Sequence, residues 1–172
     1  IKAGTDILFS EFLQTGLIYI QTASSMIPAK VLGPDAGDHV LDMCAAPGSK
    51  TTHIAALMGN RGSIDAWDVY PHKIKLIKDN AKRLGISIIH TEVRDSVKPL
   101  PFLYETYDKV LLDAPCSGLG VLGHKVELRW RRKESDLSVF PPLQKQLIEQ
   151  AAKYTKTGGV LVYSCLLYTS PS

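Results

Sequence analysis

Two periods of apolar residues alternate along this chain. Short apolar runs at 39–43, 63–68, 88–93, 107–112 and 160–164 are read as buried β-strands. Between them the apolar spacing lengthens. Ile74, Ile77, Ala81 and Leu84 recur every three or four residues, the period of a helix with one buried face. Pro71 suits the first turn of that helix and Gly85 its end. Further helices are predicted over 50–58 and from Pro141-Pro142 to 154. Upstream, 16–21 alternates enough to be a strand and 22–32 begins a short helical run. Gly33-Pro34-Asp35-Ala36-Gly37-Asp38 is a turn cluster. Strands alternating with helices at this spacing predict an α/β fold with a doubly wound, Rossmann-like parallel sheet. The expected division is a lead-in segment, 1–38, packed on a catalytic domain, 39–172.

Length and composition narrow this reading without changing it. The chain has 172 residues, which is enough for one domain with a sizeable core. A net charge of +3 permits a polyanionic partner without demanding one. The three cysteines, Cys44, Cys116 and Cys165, are odd in number and none has a CxxC neighbour. That argues against a disulfide framework or a zinc site and for a reducing compartment. The five histidines are scattered, so no metal is assigned. No apolar run is long enough to span a bilayer, and a cytoplasmic protein is the expectation. The chain opens at Ile1 and is read as a piece of a longer protein.

Candidate chemistry gathers at the strand ends, where open α/β sheets bind ligands. Asp113-Ala114-Pro115-Cys116-Ser117-Gly118 follows the fourth strand, and its proline stops the strand and stiffens the rim. Cys44-Ala45-Ala46-Pro47-Gly48-Ser49-Lys50 follows the first strand and leads into a helix. A small-residue turn of this kind lets a ligand lie against the backbone. Asp68 closes the second strand about twenty residues later, the spacing at which an acid holds a nucleoside ribose. Asp95 closes the third. The turn lacks the Gly-x-Gly-x-x-Gly pattern that close approach of a pyrophosphate requires. A nucleoside cofactor without phosphates, S-adenosylmethionine (SAM), therefore fits better than NAD.

Together the two stretches resemble the RsmB/Sun-type SAM-dependent RNA cytosine-C5 methyltransferases of the bacterial 16S rRNA class. The family's cofactor motif reads Asp-x-Cys-Ala-Ala-Pro-Gly-Gly-Lys. Here it is Asp42-Met43-Cys44-Ala45-Ala46-Pro47-Gly48-Ser49-Lys50, with serine in place of the second glycine. The active-site motif Asp-Ala-Pro-Cys-Ser-Gly stands unaltered at 113–118. The resemblance runs from about 16 to 164 and implies a SAM-dependent methyltransferase sheet whose last strands this chain does not reach. By resemblance, residues 44–50 wrap the methionine end of SAM, Asp68 holds the ribose, and Asp95 lies near the adenine. Lys50 either meets the cofactor carboxylate or caps the loop. Asp113 holds the cytosine edge beside the cofactor, and Cys116 assists product release.

C5 of cytosine is unreactive until a thiolate adds at C6, and thiolates are both strong nucleophiles and good leaving groups. The family's nucleophile lies in a Val-Tyr-Ser-Thr-Cys run. Here the run is Val162-Tyr163-Ser164-Cys165, so Cys165 is the candidate nucleophile and stands one residue early. A one-residue slip at a strand end turns a side chain to the other face. The tail 165–172 is accordingly also read as atypical sequence foreign to the gene. Within the basic segment 119–140, Lys125, Arg129, Trp130, Arg131 and Arg132 are candidate RNA contacts through phosphate pairing and base stacking. The implied partner is RNA, small-subunit rRNA first. Two other readings stay open: a SAM- or RNA-binding fragment without catalysis, and a SAM-dependent methyltransferase acting on protein or DNA.

Overall fold

The computed structural model describes residues 11–115 and 136–165. In chain order the elements are α1 (Glu11–Gln14), α2 (Ala23–Leu32), β1 (His39–Asp42), α3 (Ser49–Leu57), β2 (Ser63–Asp68), α4 (Pro71–Arg83), β3 (Ile89–Val93), a 3-10 turn (Pro101–Leu103), β4 (Tyr107–Asp113), α5 (Asp136–Tyr154) and β5 (Thr155–Ser164). The five strands form one sheet in the order β3-β2-β1-β4-β5. Every pairing is parallel. The predicted doubly wound α/β class is therefore found, and the strand order reverses between β1 and β4, where such sheets bind ligands.

Side chains alternate across the sheet as strand geometry requires. Val40, Ile64, Leu111 and Val162 pack on one face with Ala29 and Leu32 of α2 and Ile54 and Ala55 of α3. Leu41, Trp67, Val110 and Leu112 pack on the other face with Leu147, Ala151 and Tyr154 of α5. Helix α4 covers the β2 side of the first face through Ile74 and Ile77. Among the described residues no helix is long and apolar enough to cross a membrane.

Three expectations about local structure are corrected. Residues 16–21 form no strand. They run beside the end of α4, where Arg83 Nη1 donates to the carbonyls of Leu13 (2.6 Å) and Ile18 (3.3 Å). Local turn bonds (Leu17 and Ile18 N–H to the Phe12 carbonyl) and the Arg83 side chain, not a sheet edge, meet that backbone. Helix α5 begins at Asp136, so Pro141 and Pro142 lie inside it. Proline's φ is helical, and the cost is the hydrogen bonds those two residues cannot donate. The turn expected at 157–159 is a bulge within β5. Tyr107 pairs with Thr155 and Lys109 with Val160, so residues 156–159 face Asp108 alone. Lys156 Nζ ties the bulge down on Asp108 at 2.6 Å.

Gly62 enters β2 at φ +113, and a Cβ there would lie 2.5 Å from the Asp38 carbonyl oxygen and 2.6 Å from Met58 Cε. Gly62→Ala is expected to cost about 2–4 kcal/mol of stability, because backbone and φ both oppose it. Urea denaturation with an unchanged midpoint would contradict this.

Candidate active site

Successive strand ends supply the site. Beyond β1 the chain is held on both sides: Met43 N–H donates to the Leu111 carbonyl (3.0 Å) and Ala45 N–H to the Trp67 carbonyl (2.8 Å). The turn then closes through Gly48 N–H on the Ala45 carbonyl (2.7 Å), and α3 starts at Ser49. Beyond β4, Ala114 N–H donates to the Ser164 carbonyl at 2.8 Å. A cleft of about 470 Å³ lies between these ends. Its walls include Met43, Val69, Val97, Pro115, Leu143 and Leu147, and its polar rim includes Asp68, Lys73, Arg94, Asp95 and Asp113.

Not all of the predicted cofactor residues reach this cleft. Cys44, Ala46, Asp68, Asp95 and Asp113 line it. Ala45, Pro47, Gly48, Ser49 and Lys50 belong to the turn but are absent from the lining. Ala45 is buried against Ala66, Ile74 and Ile77. A contact not foreseen for Lys50 is found: its ammonium pairs with Asp113 Oδ2 at 2.6 Å, with both side chains largely buried. The other Asp113 oxygen accepts a hydrogen bond from the Ser164 hydroxyl. Asp68 Oδ1 accepts from Tyr70 N–H (3.0 Å) and Asp95 Oδ1 from Val97 N–H (3.2 Å), which fixes both carboxylates at the rim.

Asp42 carries a role that sequence reading missed. Its side chain is buried, with Thr51 Oγ1 donating to Oδ2 at 2.7 Å and no side-chain donor to Oδ1 among the described residues. Burial, and then the neighbouring Asp113 charge, push its carboxyl up to about 7, against the opposing effects of Thr51 and Lys50. Burial likewise pushes the Cys44 thiol far above the ordinary thiol range, reinforced by Asp42, Asp68 and Asp113, so Cys44 stays a neutral thiol. Ser96 was also missed; its hydroxyl donates to the Met43 carbonyl at 2.7 Å and braces the turn from the far side of the cleft. Cys165 lies beside the active-site strand: Gln144 Nε2 donates to the Pro115 carbonyl at 2.9 Å and contacts Cys165 Sγ at 3.7 Å. Cys116 and the RNA-contact candidates Lys125, Arg129, Trp130, Arg131 and Arg132 lie outside the described residues.

Comparison with known proteins decides the family. The family model described as 16S rRNA methyltransferase RsmB/F matches residues 29–169. This chain belongs to that family. It is 44% identical over 156 residues to the probable ribosomal RNA small subunit methyltransferase B of Bacillus subtilis (strain 168), covering 90% of this chain and 35% of that protein. It is 40% identical over 164 residues to the human tRNA (cytosine(72)-C(5))-methyltransferase NSUN6, covering 88% of this chain and 34% of that protein. Among solved structures, NSun6 from Pyrococcus horikoshii with SFG, a SAM analogue, superposes with a TM-score of 0.83 at 39% identity, covering 91% of this chain and 40% of that one. The chain spans about a third of the length of the curated relatives it matches.

RsmB/F proteins are SAM-dependent, and the cleft of this chain suits that cofactor. Asp68 keeps one carboxylate oxygen without a hydrogen bond among the described residues, an acceptor for a ribose diol. Val69, Val97 and Leu147 give an apolar wall for a flat base. The rim carboxylates suit a sulfonium cation.

The Asp42 carboxyl makes stability depend on pH in a defined direction. Its folded value of about 7 stands above the ordinary 3.8, so between those pH values the folded chain holds a proton that the unfolded chain has released. Stability from this group therefore falls as pH rises from about 4 to 7, by on the order of a few kcal/mol in all. Asp42→Asn keeps an acceptor for Thr51 and removes the titration. Denaturant midpoints of the variant should gain on the parent as pH rises from 5 to 8, and parallel curves would refute the assignment.

Proposed function

We propose that the protein containing this chain transfers a methyl group from SAM to C5 of a cytosine in RNA, with small-subunit rRNA as the first substrate to test. The observation that carries this reading is the Asp113 carboxylate, which lines the cleft and is gripped by Lys50 and Ser164. A carboxylate has about four acceptor sites, so Asp113 so held can still accept a hydrogen bond from the amino edge of a cytosine. When bound, SAM supplies the methyl group. The rim residue Asp68 binds its ribose, Asp95 sits by its base, and the turn 44–50 shapes the methionine end.

For this chemistry a cysteine thiolate adds at C6, and the ring electrons move to C5, which takes the methyl group. The C5 proton then leaves to a base, and the thiolate departs as the C5–C6 double bond reforms. Cys165 is the proposed nucleophile and Cys116 the residue that assists release. Gln144 touches both the Pro115 carbonyl and the Cys165 sulfur, so Cys165 stands close to the end of β4, which supports its part in this reading. Cys44 also lines the cleft, but desolvation and the neighbouring carboxylates of Asp42, Asp68 and Asp113 raise its thiol and disfavour the thiolate, so it is not the proposed nucleophile. The RNA path across Lys125, Arg129, Trp130, Arg131 and Arg132 and a cytoplasmic setting belong to the same proposal. Extrusion of the target base is part of it too, since C5 and C6 must both be reached.

A second reading, a binding fragment without catalysis, is favoured by one observation. Cys165 is absent from the cleft lining and its sulfur is turned to Gln144 of α5. Covalent trapping separates the two. The chain is mixed with SAM and small-subunit rRNA carrying 5-fluorocytosine, where fluorine blocks loss of the C5 substituent. An adduct that survives denaturation and disappears in Cys165→Ala is the expected result. SAM binding by calorimetry without any adduct would establish the binding reading instead. Asp113→Asn should lower the rate of adduct formation by about a hundredfold or more, since it removes charge at the reacting edge.

A further inference from the structure

The cofactor turn is held from outside the sheet at two of its carbonyls. Asn80 of α4 donates Nδ2–H to the Pro47 carbonyl at 3.0 Å. Gln21 of the lead-in donates Nε2–H to the Ser49 carbonyl at 2.7 Å. These bonds bracket Gly48, which sits at φ +100 with no side chain to anchor it. Pro47 has no N–H, so the turn's own resources at this point are thin.

Asn80 is itself oriented. Its Oδ1 accepts from Arg83 Nη2 at 3.4 Å, which turns the amide nitrogen toward Pro47. The same guanidinium donates through Nη1 to the Leu13 and Ile18 carbonyls and lies 5.6 Å from the centre of the Tyr19 ring. The lead-in meets α4 backbone to backbone: Gly16 is at φ +80, and a Cβ there would lie 1.7 Å from the Arg83 carbonyl oxygen. A continuous series of contacts thus runs from the lead-in through Arg83 and Asn80 to Pro47, and a second, direct one runs through Gln21 to Ser49.

We propose that Asn80 and Gln21 are positioning residues that hold the cofactor turn in its ligand-ready shape, and that Arg83 couples docking of the lead-in to that turn. This rests on the reading of residues 44–50 as the SAM-binding turn. Neither side chain lines the cleft, and nor do Pro47 and Ser49, so both act by fixing the turn whose Cys44 and Ala46 do line it. A preshaped turn binds more tightly because less ordering remains to be done on binding.

The informative substitution is Asn80→Asp. It keeps an acceptor for Arg83 but turns a carboxylate oxygen, not a donor, on the Pro47 carbonyl. Gln21→Ala removes the other grip and serves as an independent variant should the first fold poorly. SAM affinity is measured by calorimetry for the parent and both variants, with amide hydrogen exchange at Gly48 in the free chain. The expected result is SAM binding weakened about fivefold to tenfold by each substitution, the scale of one hydrogen bond. Gly48 exchange should quicken while exchange in the sheet is unchanged. A merely structural role would quicken exchange in the sheet as well, and that outcome would overturn the proposal. Parent-like SAM affinity in both variants, within about twofold, would overturn it while leaving the SAM reading intact. A parent chain that binds no SAM would bring down the reading of the turn and the proposal with it.

Discussion

The arrangement of the site depends on one buried ion pair. Lys50 and Asp113 lie 63 residues apart in sequence, and their side chains meet at 2.6 Å with little exposure to solvent. Lys50 stands in the first turn of α3 and Asp113 at the end of β4, so the contact joins the two loops that flank the strand-order reversal. Removing both charges from water is costly, and the pair is favourable only when the remaining lone pairs are also satisfied. The Ser164 hydroxyl satisfies one on Asp113. Loss of either partner would strand a buried charge, a change that costs about 3–5 kcal/mol in comparable settings.

That pair also organises the local electrostatics. Asp42, Asp68 and Asp113 all act on the Cys44 thiol, and Lys50 is the cation bonded into this group. A fully ionised cluster would carry excess negative charge in a half-dry place. The buried Asp42, its carboxyl pushed up to about 7, relieves part of this by binding a proton as pH falls to neutrality and below. Asp113 then keeps both Lys50 and Ser164 as its own partners. These acids differ in depth: Asp42 is fully buried beneath the turn, Asp68 is buried but lines the cleft, and Asp95 and Asp113 line it half-buried.

Much of the fold could be read from the chain because its signals are local. The runs around Val40-Leu41, Ile64 and Val110-Leu111-Leu112 are short, apolar and bounded by turn residues, and each became a strand. Ile74, Ile77 and Ala81 became the buried stripe of α4. Two of the misreadings share one cause. The alternation at 16–21 resembles a strand, but a strand needs a neighbouring edge, and here the Ile18 carbonyl is met by Arg83 instead. Thr157-Gly158-Gly159 has turn chemistry, yet its residues bulge out within a strand that pairs on either side. In both places a distant part of the chain outweighed local preference.

The same division holds at the site. The residue types and their order along the chain determined the α/β class, the positions of Asp68, Asp95 and Asp113 at strand ends, and the two motifs by which family membership is recognised. These are properties of short stretches, set by period, turn residues and the chemistry of individual side chains. Tertiary structure alone decided that Lys50 belongs to Asp113, that Ser164 completes it, that Asp42 is deep enough to keep a proton, and that Gln144 touches Cys165. Each of these depends on which strands become neighbours and how much water remains between them, and neither quantity is written in the spacing of residues along the chain.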